Sequence, residues 1–212
     1  VLQSLGCFGI NLGFGDKTVN ETCRDNGVDT YTFLAVVNYT INGYYNAEDA
    51  DRLSIPTLLH YLQACHVYYL DYQLPSIRRA LQESINEEDG VGHLIMRFYD
   101  EYSREIRKHM KYEEKHLFPY VEALLRDEMP VNYDIETFSK KHGQTDQKLR
   151  ELKNIIIKYL PSDGLRNNQL SATLCDIYNN EEWLAKHSDV EEEIMIPAIR
   201  TLEKKLKQNE FS

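Results

Sequence analysis

The chain has 212 residues, 42% of them hydrophobic and 27% charged, with a formal net charge of -10 at pH 7. That length supports one sizeable core with room for a small second unit, and the composition is ordinary for a soluble globular protein. The acidic balance excludes the basic stripe of a nucleic-acid surface and suits anionic lipid equally badly, and no apolar run of about 18 residues exists to span a bilayer.

The opening stretch, Val1-Leu2-Gln3-Ser4-Leu5-Gly6-Cys7, has neither a basic segment nor a long apolar core, so it shows no signal peptide. Cys7, Cys23, Cys65 and Cys175 are widely spaced and form no CxxC pair. They fit reduced thiols better than a disulfide framework or a thiolate zinc site, and the expected location is the cytoplasm. Gly6, Gly9, Gly13 and Gly15 read as loop. Asp16 to Thr18 caps a helix through Val19 to Arg24, which Asn26-Gly27 ends. Val28 to Asn38 reads as a second short helix, and Gly43 to Ala50 as a linker. Residues 1–46 are therefore expected to form a small helical N-terminal domain with little core of its own.

Residues 54–207 alternate long periodic segments with short breaks. Ser54-Ile55-Pro56 starts a helix that continues to Ile85, with the proline in its first turn. After a break at Asn86 to Gly92, a second helix runs to Leu125. Pro130 interrupts the chain, and a third helix spans about Tyr133 to Tyr159. Pro161-Ser162-Asp163-Gly164 is a turn. A fourth segment runs from about Asn167 to Leu206, bent near Trp183 or at Pro197. Four such helices joined by short connections predict an all-α, antiparallel up-down-up-down four-helix bundle.

One pattern occurs twice in these helices. His109, Glu113, Glu114, Leu117 and Pro119 recur at the same offsets as His187, Glu191, Glu192, Met195 and Pro197. Residues four apart share a helix face, so each copy aims an imidazole and a carboxylate the same way. The prolines lack an N–H and are expected to kink or loosen their helices by a turn. The second acids, Glu114 and Glu192, read as solvent-facing.

Few other histidines are available to join a common level. The third helix offers His142. The first offers His60 and His66, which rise about 9 Å apart and do not easily share one level. The expected ligand set is His66, His109, Glu113, His142, His187 and Glu191. This N/O set suits iron, manganese or zinc, and two bridging glutamates would offset the charge of two divalent ions. His93 precedes His109 by about 24 Å of helix and is excluded if that helix is continuous. His116 lies one turn beyond Glu113 and reads as a residue supporting the ligands or as a surface histidine. Tyr112 and the other helix tyrosines either hydrogen-bond a ligand or a metal-bound oxygen, or simply pack.

The segments His66 to Pro75, His109-Met110-Lys111-Tyr112-Glu113-Glu114 through Phe118-Pro119, His142, and His187 through Pro197 resemble hemerythrin-like domains. They look most like the di-iron proteins that repair iron–sulfur centres after nitrosative or oxidative stress (the RIC/ScdA/YtfE group). Phe8-Gly9-Ile10-Asn11 and Thr18 to Val28 look like that group's small N-terminal domain. The resemblance implies two iron ions held by the six residues, bridged by Glu113, Glu191 and an oxo or hydroxo group, with manganese or zinc as substitutes. Two departures stand out. The group's N-terminal Cys-Cys-Gly-Gly element is replaced by Gly13-Phe14-Gly15-Asp16. The break before the second helix, where the group often has a histidine, holds Glu87, Glu88 and Asp89, with His93 slightly later.

The resemblance implies help in restoring damaged iron–sulfur proteins, through iron donation or through handling nitric oxide or peroxide. A second reading is non-enzymatic binding or sensing of O₂ or NO, and a third is a metal-free structural or interaction module. No nucleophilic triad or phosphate loop competes with these. Expected partners are a diatomic ligand or peroxide and damaged iron–sulfur proteins, with no nucleic acid and no membrane. A homodimer is a further expectation, with the N-terminal unit as its contact.

Overall fold

The computed structural model describes residues 2–85, 90–130, 134–139, 146–159 and 164–209, and every regular element among them is helical. The chain forms α1 (Leu2–Cys7), α2 (Val19–Asp25), α3 (Thr30–Asn42), a 3₁₀ turn (Ala47–Arg52), α4 (Ile55–Val67), α5 (Leu74–Ser84) and α6 (Gly90–Tyr112). There follow α7 (Phe118–Leu124), α8 (Ile135–Ser139), α9 (Asp146–Tyr159), α10 (Gly164–Val190) and α11 (Ile196–Asn209). Packing divides the chain into two compact units, one of residues 1–66, 113–142 and 186–212, the other of residues 67–112 and 143–185. These units cut the chain differently from a division at 46 and 54, because residues 1–53 pack together with parts of the long helices.

Local sequence explains how the N-terminal helices begin and end. Residues 2–7, expected as loop, are helical. α1 closes in a Schellman motif: Gly9 takes a φ of 72°, Gly9 N–H donates to the Gly6 carbonyl, and Ile10 N–H donates to the Leu5 carbonyl. Thr18 and Glu21 form a reciprocal capping box at the start of α2. Asp29 caps α3, accepting from Thr32 N–H at 2.8 Å and from the Thr32 hydroxyl at 2.6 Å. The same hydroxyl accepts from Ser54 N–H at 2.8 Å, which ties α3 to the start of α4.

Three π turns interrupt the long helices: Tyr68–Gln73 between α4 and α5, Glu113–Leu117 between α6 and α7, and Glu191–Met195 between α10 and α11. Each ends two residues before a proline, Pro75, Pro119 or Pro197. A proline in a helix cannot donate, and its ring crowds the carbonyl four residues earlier. Widening the turn relieves that clash, and the loosening expected at Pro119 and Pro197 takes this form. Ile196 N–H accordingly reaches back five residues to the Glu191 carbonyl, and Leu74 N–H to the Tyr69 carbonyl.

In the unit of residues 67–112 and 143–185, the π turn and Pro75 leave the Leu70 carbonyl without a backbone donor. The Arg107 guanidinium supplies one at 3.1 Å. Buried tyrosines settle their hydroxyls in the same way. Tyr99 donates to the Leu74 carbonyl at 2.8 Å, and Tyr69 donates to the Asn180 carbonyl at 2.7 Å. Most of these tyrosines are packing residues with satisfied polar ends.

In the other unit, Phe8 is the keystone between the N-terminal helices and α4. Its ring stacks on Tyr61 at 4.5 Å and meets Phe33 edge-on at 5.1 Å. Val36, Leu58, Leu62 and Cys65 are fully buried in the same unit, and Leu117, Val121, Val190, Ile194 and Ile199 line its other helices. Glu203 is buried too. It accepts from the Tyr120 hydroxyl at 2.6 Å and from Ile135 N–H at 3.3 Å, so it anchors the first residue of α8. Truncating a buried phenylalanine leaves a cavity as well as losing transfer energy, so Phe8→Ala is expected to lower stability by about 3–5 kcal/mol. Urea unfolding of the full chain measures it, and a loss below about 1 kcal/mol would show that residues 1–53 do not share this core.

Candidate metal centre

His66, Glu113, His187 and Glu191 converge in the unit of residues 1–66, 113–142 and 186–212, each offering one ligand atom, all within 4.8 Å of one another. All four are between 0 and 2% exposed. His66 sits on the last turn of α4 and His187 on the last turn of α10, while Glu113 and Glu191 are the first residues of two π turns. The His187–Glu191 pair meets as its spacing predicts, with Nε2 and Oε1 3.4 Å apart. The His66 ring lies 5.3 Å from that of His187 and 5.0 Å from that of Phe118, which screens the group from water.

The hydrogen bonding of His66 fixes how this group works. Its Nδ1 lies 3.3 Å from Oε1 of Glu114, and an ionised carboxylate only accepts, so Nδ1 carries the proton. In the neutral ring, Nε2 then presents a lone pair. That lone pair faces Oε2 of Glu113 at 3.1 Å without making a hydrogen bond. Two electron-rich atoms held at that distance in a dry interior repel unless a cation lies between them. Two imidazoles and two carboxylates are the ligands that divalent iron, manganese or zinc takes at about 2.0–2.2 Å. The donor set therefore fits a metal ion.

The other expected residues fall elsewhere. His109 is half-buried on the last turn of α6, in the unit of residues 67–112 and 143–185, and is not one of the four. Its fourfold spacing from Glu113 spans the start of a π turn, where regular helical phase ends. His142 lies outside the described residues. His60, His93 and His116 are exposed, and Tyr112 is half-buried.

Glu114 corrects the sequence reading. Expected to face solvent, it keeps 45% of its side-chain exposure yet holds Nδ1 of His66. A carboxylate behind a ligating histidine sets the tautomer and raises the basicity of the other nitrogen. Its double-acid signal was legible, but nothing in spacing alone distinguishes it from exposed Glu192. Burial pushes the Cys65 thiol, next to His66 in sequence, well above the ordinary range. A hydrogen bond to the Cys7 sulfur adds to this, and Glu191 contributes least.

Glu114→Ala is expected to weaken Co(II) or Fe(II) binding by about tenfold or more, with Glu114→Gln intermediate. Glu192→Gln should change it less than about twofold. Competition against a chelator of known affinity measures all three, and equal effects at 114 and 192 would remove the orienting role.

Comparison with known proteins follows the same lines. Residues 57–199 match the Hemerythrin HHE cation binding domain. The chain is also 22% identical over 153 residues to the iron-sulfur cluster repair protein ScdA of Staphylococcus haemolyticus (strain JCSC1435), covering 69% of this chain and 68% of that protein. No solved structure matches it significantly. No helix among the described residues is long and apolar enough to cross a membrane. Its sequence from α4 into α11, with the buried imidazoles and carboxylates that those helices carry, makes the chain a member of the hemerythrin HHE cation-binding family.

Proposed function

We propose that this protein holds two iron ions and helps to restore iron–sulfur centres damaged by nitrosative or oxidative stress, through iron donation or by handling nitric oxide or peroxide. The observation that carries the reading is the enclosed set of His66, Glu113, His187 and Glu191, in which the His66 lone pair faces a carboxylate oxygen. Membership of a cation-binding family and similarity to a protein named for iron–sulfur cluster repair support it. In this reading, residues 54–207 form an up-down-up-down bundle, His109 and His142 complete the ligand set, and Glu113 and Glu191 bridge the two ions.

The residues divide the work among themselves. Glu114 holds the His66 ring so that Nε2 points inward. Phe118 and the buried aliphatic side chains exclude water, which strengthens every charge interaction in the site. The two glutamates supply negative charge that retains a cation but no acid–base pair for hydrolysis. Bound iron would supply the redox and ligand-binding chemistry that these side chains lack.

Anaerobic reconstitution with Fe(II), followed by metal analysis and an optical spectrum, tests the site. The expected content is about two iron ions per chain, as in bundle di-iron sites. Glu113→Ala and Glu191→Ala, made separately, should each lose most of it. Less than one iron per wild-type chain would overturn the reading. The iron-loaded chain should then restore a nitric-oxide-treated [4Fe–4S] enzyme faster than an equal amount of free Fe(II). Equal rates would remove the repair role and leave the metal site standing.

A further inference from the structure

A second reactive cluster lies in the same unit, away from the metal ligands' donor atoms. Cys7, at the end of α1, and Cys65, on α4, are 3% and 0% exposed. Neither is in a disulfide. Cys65 S–H donates to the Cys7 sulfur, and the Tyr61 hydroxyl donates to the Cys65 sulfur. Ser4, one turn before Cys7, hydrogen-bonds the Tyr61 hydroxyl in turn. The Phe8–Tyr61 stack at 4.5 Å and the Schellman closure at Gly9 hold the end of α1 against this stripe of α4. Two sulfurs in contact between two fixed helices are placed for a covalent bond, and neither has another cysteine as its recorded partner.

We propose that Cys7 and Cys65 form an intramolecular disulfide under peroxide, a covalent staple that fastens α1 to the helix carrying His66. The chemistry balances with hydrogen peroxide as the oxidant. The Cys7 sulfur attacks one peroxide oxygen, an S–O bond forms as the O–O bond breaks, and the departing hydroxide leaves as water with the thiol proton. The Cys65 sulfur then attacks the Cys7 sulfur, the S–S bond forms as the S–O bond breaks, and a second water leaves with the Cys65 proton. Two thiols are oxidised by two electrons and one peroxide is reduced to two waters. Burial then shields the bond from bulky thiol reductants, so the staple persists until the local structure opens. This inference does not depend on the metal reading, because the pair and its oxidant are complete without iron.

The test uses the full chain as purified. Cys175, which is exposed, is first blocked with N-ethylmaleimide under native conditions. The protein is then treated with hydrogen peroxide, unfolded, alkylated again and digested without reductant. The expected result is one cross-linked peptide pair joining Cys7 to Cys65, with Cys23 still alkylated. Wild-type protein should also gain about 5 °C or more in thermal midpoint on oxidation, lost again with dithiothreitol. Cys7→Ser should abolish both changes, and Cys7→Ala serves if the serine is poorly tolerated. Recovery of Cys7 and Cys65 as separate alkylated or sulfinic peptides would overturn the proposal. So would a cross-link to Cys23 in place of either, or an equal thermal gain in Cys7→Ser.

Discussion

Two carboxylates and two imidazoles sit in an apolar interior with no access to water, and the rest of the architecture answers to that constraint. Glu113 and Glu191 are both fully buried. Burying an ionised carboxylate costs several kcal/mol even after the surroundings relax. A second one nearby adds repulsion, and in an interior of low dielectric the repulsion is strong. The imidazole nitrogens do not offset this by donating, since Glu114 already claims the His66 proton. What offsets it is positive charge placed among the four side chains. A fold that retained this arrangement with nothing to neutralise it would carry a large penalty for no gain in packing.

The π turns follow from the same need. Glu113 and Glu191 each begin a widened turn that ends two residues before a proline. A regular helix carries a side chain around by a fixed angle at every step, while a π turn adds a residue and shifts that phase. The proline makes the shift persistent, because its ring and missing N–H penalise a return to the tighter turn. The third such turn follows His66 by two residues and has no glutamate at its start, only Tyr68. There the altered phase leaves a carbonyl exposed within the interior, and Arg107 rather than a ligand answers it. The same backbone device thus aims a carboxylate in two places and is absorbed as structure in the third.

Much of this was legible in the sequence, and the parts that were not share a cause. The long helices, their breaks and the paired His–Glu spacing are local properties, and local periodicity carries them. Hence His187 and Glu191 meet as read. His66 rather than His60 enters the site because the face of α4 that packs inward is set by Tyr61, Leu62 and Cys65, a tertiary choice that spacing alone left open. Glu114 was invisible for a similar reason: its partner is 48 residues away in the chain. The opening helix was missed because glycine suggests loop, although Leu5, Gly9 and Ile10 spell the Schellman closure that ends it. The loosening at Pro119 and Pro197 was readable, but that it would take the form of a π turn was not.

The N-terminal segment is where this chain departs most from the repair proteins it resembles, and its thiols show how. An adjacent cysteine pair in a loop can meet a partner protein or a passing metal ion directly. Here Cys7 and Cys23 face inward, at 3% and 1% exposure, and the exposed cysteine, Cys175, lies on α10 in the other unit. Burial also raises the Cys23 thiol, which keeps it protonated and a poor ligand. For either N-terminal sulfur to receive iron it would have to leave the core, and for Cys7 that means giving up the neighbouring Phe8 stack as well. Transfer through these thiols is therefore coupled to opening of the segment itself. Iron leaving the four-residue cage directly carries no such cost, so in this chain release is more naturally governed by the imidazoles and carboxylates than by sulfur.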